Sequence, residues 1–153
     1  MSDTIATAAA VVETHEVTRE FKLGAITVRA LRGVDLFISP GAFVALRGRS
    51  GSGKTTLLNI LVGLDDPTQG RVMTLGHDLA QLNEARRAAL RRESIGLLFQ
   101  NAHLFPTLTA RKIVQLFQDI VQQTGIALLV ATHDATVYSA ADRVLQISDG
   151  RIG

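Results

Sequence analysis

The chain has 153 residues, of which 46% are hydrophobic and 20% charged, with a net charge of +2 and no cysteine. That length suits one domain with one core, and because aromatic residues make up only 5% the core must be mostly Leu, Val, Ile and Ala. So small a charge does not argue for nucleic acid, and the cysteine count excludes a disulfide framework or a thiolate metal site.

Residues 1–10 read as a loose Ala/Thr-rich tail that lacks the basic start and long apolar stretch of a signal peptide, and residues 11–153 as one domain. No run reaches the roughly 18 apolar residues of a membrane span. Strands are expected at 11–21, 26–30 and 34–38, antiparallel because they follow one another with short connections. Ser39-Pro40-Gly41 signals a turn. Phe43–Arg47 is a short apolar strand leading into a Gly-rich loop, and Lys54–Leu61 has helical spacing at Leu57, Leu58, Ile60 and Leu61.

A loop at 65–70 and a strand at 71–75 come next. An Arg-rich helix at 84–92 follows, its basic run read as a solvated face. The pattern continues with a strand at 95–99, a loop at 100–107 and an amphipathic helix at 109–123, with Gly125 placed to cap it. A buried strand at 126–131, a short helix at 135–141, a strand at 144–147 and a turn at Asp149-Gly150 complete the chain. Strand–helix alternation from residue 43 onward predicts an α/β fold with a largely parallel sheet.

The Gly-rich loop carries the chemistry. Gly48-Arg49-Ser50-Gly51-Ser52-Gly53-Lys54-Thr55 satisfies every position of the P-loop pattern G-x-x-x-x-G-K-[ST]. Glycines let the backbone approach phosphate oxygens, successive N–H groups form an anion nest, and the helix that begins near Lys54 adds its positive end. Lys54 supplies an ammonium for the β- and γ-phosphates, and Thr55 a hydroxyl for Mg²⁺. His15, His77 and His103 have no metal-ligand spacing and read as surface or loop residues. The basic run near 84–93 has no aromatic platform beside it, so a nucleic-acid partner is not expected.

The surroundings of the loop resemble the ATP-binding subunits of ABC transporters, in wording nearest the lipoprotein-release and macrolide-export branch. The resemblance rests on Ala30-Leu31-Arg32-Gly33-Val34-Asp35-Leu36, the phosphate loop, Leu64-Asp65-Asp66-Pro67-Thr68-Gln69-Gly70, Leu97-Leu98-Phe99-Gln100, Ala131-Thr132-His133-Asp134, and Ala141-Asp142-Arg143-Val144 with Asp149-Gly150-Arg151-Ile152. It implies a P-loop NTPase core with N-terminal antiparallel strands, ATP and Mg²⁺ as cofactors, and two partners: a membrane permease subunit and a second nucleotide-binding subunit. The expected location is cytoplasmic, at the inner face of the membrane through the permease.

By the same resemblance, Phe21 stacks on adenine. Gly48, Arg49, Ser50, Gly51, Ser52, Gly53, Lys54, Thr55 and Thr56 hold the phosphates and Mg²⁺. Gln100 reaches the metal beside Thr55, and His133 is the switch histidine that contacts the γ-phosphate.

Two family motifs are missing: the Leu-Ser-Gly-Gly-Gln signature and the Walker B strand ending in Asp-Glu. Only residues 101–132 separate Gln100 from His133, which reads as an internal deletion joined near Ala110-Arg111 that removes most of the helical subdomain. Leu128-Leu129-Val130-Ala131 is not a substitute, since no carboxylate directly follows it. The missing strand leaves a gap of roughly 4.8 Å, closed only if 95–99 pairs directly with 126–131. Without the carboxylates, ATPase activity near background is expected. These residues suit an ATP-binding transporter subunit or a hydrolysis-defective nucleotide- or partner-binding remnant; a small P-loop kinase suits the early strands and Gln100 less well.

Overall fold

The computed structural model of the chain describes residues 9–94 and 109–153. Strands β1 (Val12–Leu23) and β2 (Ile26–Ile38) form a long antiparallel hairpin, paired from Leu23↔Ile26 to Val12↔Ile38. β2 is one strand where the sequence suggests two. The ladder survives because β1 takes up an extra residue between Thr14 and Val17, with Glu16 at φ 47, so the register shifts without breaking. β4 (Gln69–Thr74) pairs with the other edge of β1, and a short β5 (His77–Asp78) completes the order β2-β1-β4-β5. β4 starts before the expected residue 71 because Gln69 already finds Thr18 across the sheet.

The second sheet has the order β6-β3-β7-β8. β3 (Phe43–Arg47) lies between β6 (Leu128–Ala131) and β7 (Arg143–Ser148), parallel to both, and β8 (Arg151–Ile152) turns back on β7. Alternation along β3 sorts its side chains into two cores. Val44 and Leu46 join Leu57, Leu58 and Leu61 of helix α1 (Lys54–Leu61) and the inner face of the antiparallel sheet. Phe43 and Ala45 face the other way, onto Val114, Phe117 and Val121 of α3 (Ala110–Thr124) and Val137 of α4 (Ala135–Ala140). Phe43 and Phe117 meet edge to face at 6.0 Å.

Thr109 caps the start of α3 and Gly125, left-handed at φ 69, ends it as expected. β6 begins at Leu128, later than the sequence suggests, and Ile126 is left 47% exposed. Among the described residues the outer edge of β6 carries no strand. The expected strand at 95–99, its pairing with 126–131, and Gln100 and His103 lie outside the described residues.

The solvated-face reading of the basic helix α2 (Glu84–Ser94) holds for Arg86 and Arg92 but not for its other two arginines. Arg87 donates to Leu79 O at 2.7 Å and to Gly63 O at 3.4 Å; Arg91 donates to Val62 O and Gly63 O at 3.3 and 3.1 Å. The end of α1 exposes carbonyls that no helical N–H reaches, and these guanidinium groups satisfy them.

Candidate functional site

Parallel pairing of β3 and β6 sets Leu46 beside Ala131, so the loops leaving both strands emerge at the same sheet end. The first is the phosphate loop, residues 48–53, and the second carries His133. Between them is a cavity of about 460 Å³, a size that suits a small-molecule ligand. Ser50, Gly51, Gly53, Lys54, Thr55 and Thr56 line one side, Ala131 and His133 another, and Val28, Arg29 and Ala30 of β2 a third.

Gly53 is the N-cap of α1 at φ 107, in a region closed to other residues, and a Cβ there would lie 2.7 Å from Ala30 O. Its helix therefore starts with no side chain over its free N–H groups, which is the arrangement an anion needs. Lys54 is 8% exposed and folds back on the loop, donating to Gly48 O, to Arg49 O at 2.8 Å and to Ser52 Oγ at 3.5 Å. Burial holds its ammonium below the usual lysine value of 10.5. Thr55 is exposed to the cavity.

The loop is braced from outside. A Cβ on Gly48 would lie 2.5 Å from Ile147 O, so β7 packs directly under the loop. Gly150 donates to Ser52 O at 3.0 Å, and its own carbonyl accepts from Arg32 N at 2.8 Å. The β7–β8 turn thus ties the phosphate loop to β2. At the other end of β3, Asp142 accepts from Phe43 N at 2.8 Å and returns its N–H to Phe43 O at 2.8 Å.

The His133 loop is similarly fixed. Asp134 caps α4 by accepting from Thr136 N at 2.7 Å, and its own N–H donates to Thr132 Oγ1 at 3.0 Å. The Tyr138 hydroxyl donates to Thr132 O.

The sequence profile of the ABC transporter family matches residues 31–151. The chain belongs to that family. It is 48% identical over 105 residues to the macrolide export ATP-binding/permease protein MacB of Syntrophobacter fumaroxidans, an alignment covering 69% of this chain and 15% of that protein. With MacB of Rhodopseudomonas palustris it shares 45% identity over 120 residues, 78% of this chain and 18% of that one. The chain thus spans less than a fifth of the length of these curated relatives.

Among solved structures, the dimeric ATP-binding cassette MJ0796 bound to ADP and Pi has a TM-score of 0.83 at 24% identity, covering 92% of this chain and 96% of the other. CbiO1 from Clostridium perfringens, part of the ABC transporter complex cbiONQ, has a TM-score of 0.77 at 18% identity, over 94% and 87% of the two chains. The fold is therefore that of an ABC ATPase, an α/β P-loop NTPase.

Of the residues singled out in the sequence, the structure brings Ser50, Gly51, Gly53, Lys54, Thr55, Thr56 and His133 to one cavity. Gly48 and Ser52 are buried beneath it, and Arg49 is exposed. Phe21 does not line it. Its ring carries the Arg19 guanidinium at 4.2 Å, and it pairs with Val28, which does line the cavity. His15 and His77 are exposed as expected, though on strands rather than in loops. Sequence reasoning missed Arg29, Tyr138 and the bracing by Gly150. Only the Asp149-Gly150 turn signal pointed toward the last of these. Among the described residues no group of His, Asp or Glu side chains is arranged to hold a metal, and no helix is long and apolar enough to cross a membrane.

Proposed function

We propose that residues 11–153 form a nucleotide-binding domain that takes ATP in the cavity between the phosphate loop and His133 and acts on a membrane permease. The single observation that carries this reading is the convergence of the open α1 N-terminus, the buried Lys54 ammonium and His133 on one cavity. Three electropositive or hydrogen-bonding features facing one space suit a polyphosphate. On this reading Gly48, Arg49, Ser50, Gly51, Ser52, Gly53, Lys54, Thr55 and Thr56 bind the phosphates, Phe21 stacks on the base, and His133 meets the terminal phosphate. Gln100 is assigned to the metal by resemblance alone.

The donor set fits Mg²⁺ that arrives with the nucleotide. Thr55 offers one hydroxyl oxygen and, among the described residues, no carboxylate lines the cavity; phosphate oxygens and water would complete the ligand set, an arrangement Mg²⁺ accepts. When bound, the metal neutralises phosphate charge; the protein's own part is to seat the phosphates on backbone N–H groups and Lys54.

The relatives support the permease as partner, since MacB is named an ATP-binding/permease protein and CbiO1 part of a transporter complex. They support a second nucleotide-binding subunit as well, since MJ0796 is described as a dimer. Such a domain works on the cytoplasmic side of the membrane through its permease. A second reading, binding without hydrolysis, is favoured by the lack of an apolar run ending in Asp-Glu between Gln100 and His133. Hydrolysis needs Mg²⁺ held in place and a positioned water, and those carboxylates would help hold the one and polarise the other.

Calorimetric titration with MgATP, using Lys54→Ala as control, tests the proposal. Saturable binding that the substitution abolishes is expected; no binding by the unsubstituted chain overturns it. Steady-state phosphate release decides between the two readings. Release at background supports binding alone, and Lys54-dependent turnover rules that reading out.

A further inference from the structure

The ring of His133 makes no hydrogen bond to the described residues, and the side chain is exposed at the cavity wall. Its position is therefore set by its backbone. The peptide plane that precedes it is the Thr132 carbonyl, because turning that plane swings the His133 side chain toward or away from the phosphates. Thr132 N reaches Leu46 O only at 3.4 Å, a long and weak bond. The hydrogen bond on the Thr132 carbonyl itself comes from the Tyr138 hydroxyl, which donates to Thr132 O from one turn into α4.

Tyr138 is itself held on several sides. Its ring packs against the core built on Phe43 and Phe117. The guanidinium of Arg47 lies 5.3 Å from the ring centroid. Arg47 is the last residue of β3, directly before Gly48, so one ring touches both the strand that feeds the phosphate loop and the loop that carries His133. Burial raises the phenol above its usual value of 10.0, which keeps the hydroxyl a donor through the neutral range.

We infer that Tyr138 is a positioning residue: by fixing the Thr132–His133 peptide it lets the cavity distinguish a nucleoside triphosphate from a diphosphate. The inference rests on the nucleotide-binding reading above. It assigns Tyr138 no contact with the ligand. Its effect should reach only the terminal phosphate, because His133 is carried by the loop after β6 and not by the phosphate loop that grips the rest.

Tyr138→Phe tests this while keeping the ring, its packing and the Arg47 stack. Calorimetry of the full chain with MgATP and with MgADP should show the triphosphate weakened about fivefold, the size of one hydrogen bond's net contribution, and the diphosphate unchanged. In a His133→Ala background the same substitution should change neither affinity, since the group it positions is gone. A parallel urea unfolding curve establishes that the variant is folded. An equal loss for both nucleotides, an unchanged ratio, or an effect that persists without His133 overturns the inference. If the unsubstituted chain binds neither nucleotide, the nucleotide-binding reading and this inference fall together. If it binds in a Lys54-dependent way and the ratio is insensitive to Tyr138→Phe, only this inference fails.

Discussion

Gly150→Ala should damage the phosphate loop from a site that touches no ligand. Gly150 is buried at φ +74, and a Cβ there would press on the Ala30 carbonyl, with Ala30 C and Leu31 Cα both at 3.0 Å. Holding an alanine in the left-handed region costs roughly 1–2 kcal/mol. The obstructing atoms are backbone of β2, which cannot swing aside as a side chain does, and overpacking of that kind adds about 1–3 kcal/mol. The sum, about 2–5 kcal/mol, is a large share of the ~5–15 kcal/mol that holds a domain folded. The strain is relieved by moving the turn away from β2, and that movement breaks the Gly150 N–H bond to Ser52 O.

Urea unfolding should therefore show a lower midpoint at an unchanged slope, and MgATP should bind more weakly even where the variant is fully folded. Asp149→Gly is the control. Asp149 is exposed at φ 48, so relief of strain offsets the added unfolded-state entropy, and stability should stay within about 0.5 kcal/mol of the original. A Gly150→Ala protein with the original midpoint and affinity would refute the argument that this turn braces the loop.

Asp142→Ala strands the buried Phe43 N–H and should cost about 1–3 kcal/mol in chemical denaturation, with Asp142→Asn recovering most of it because an acceptor oxygen remains. Arg91→Ala, which uncovers the Val62 and Gly63 carbonyls, should destabilise by about 1–2 kcal/mol, while exposed Arg92→Ala should change stability by less than about 0.5 kcal/mol. In the alkaline range the phenol of Tyr138, raised by burial, keeps its proton longer in the folded than in the unfolded chain. Its contribution is fully present below 10.0 and is lost as pH climbs from there through the folded value. The stability advantage over Tyr138→Phe should shrink above that pH in urea unfolding curves; a constant or growing gap would contradict it. Lys54, held below 10.5 by burial, has the opposite sign, so the advantage of Lys54→Met at neutral pH should diminish as pH rises toward 10.5.

Much of the fold is legible in the sequence wherever a short local pattern decides the outcome. Helix α1 begins and ends where its apolar spacing says, because Leu57, Leu58, Ile60 and Leu61 must all be buried. Thr109 and Gly125 bound α3 because a hydroxyl satisfies an early N–H and a glycine accepts the left-handed exit. Asp134 starts α4 for the first of these reasons. Errors cluster where a partner strand sets the limits. β2 runs unbroken because a bulge in β1 keeps the ladder in register, and β4 starts early because Thr18 waits across the sheet.

The candidate site divides in the same way. The Gly48–Thr55 pattern is contiguous, so its composition and spacing can be read without the fold. What surrounds the loop is assembled from distant segments, and no local pattern records it. Parallel pairing of β3 with β6 brings His133 to the same cavity as Lys54, and the Gly150 N–H reaches Ser52 only once β7 lies beside β3. Arg87 and Arg91 read as surface charge until the end of α1 presents carbonyls to them. The sequence by itself determined the family, the P-loop pattern and the bounds of α1, since each rests on short contiguous motifs. Only the tertiary structure decided which side chains brace that loop, because those contacts depend on strand order and register, which sequence neighbours do not fix.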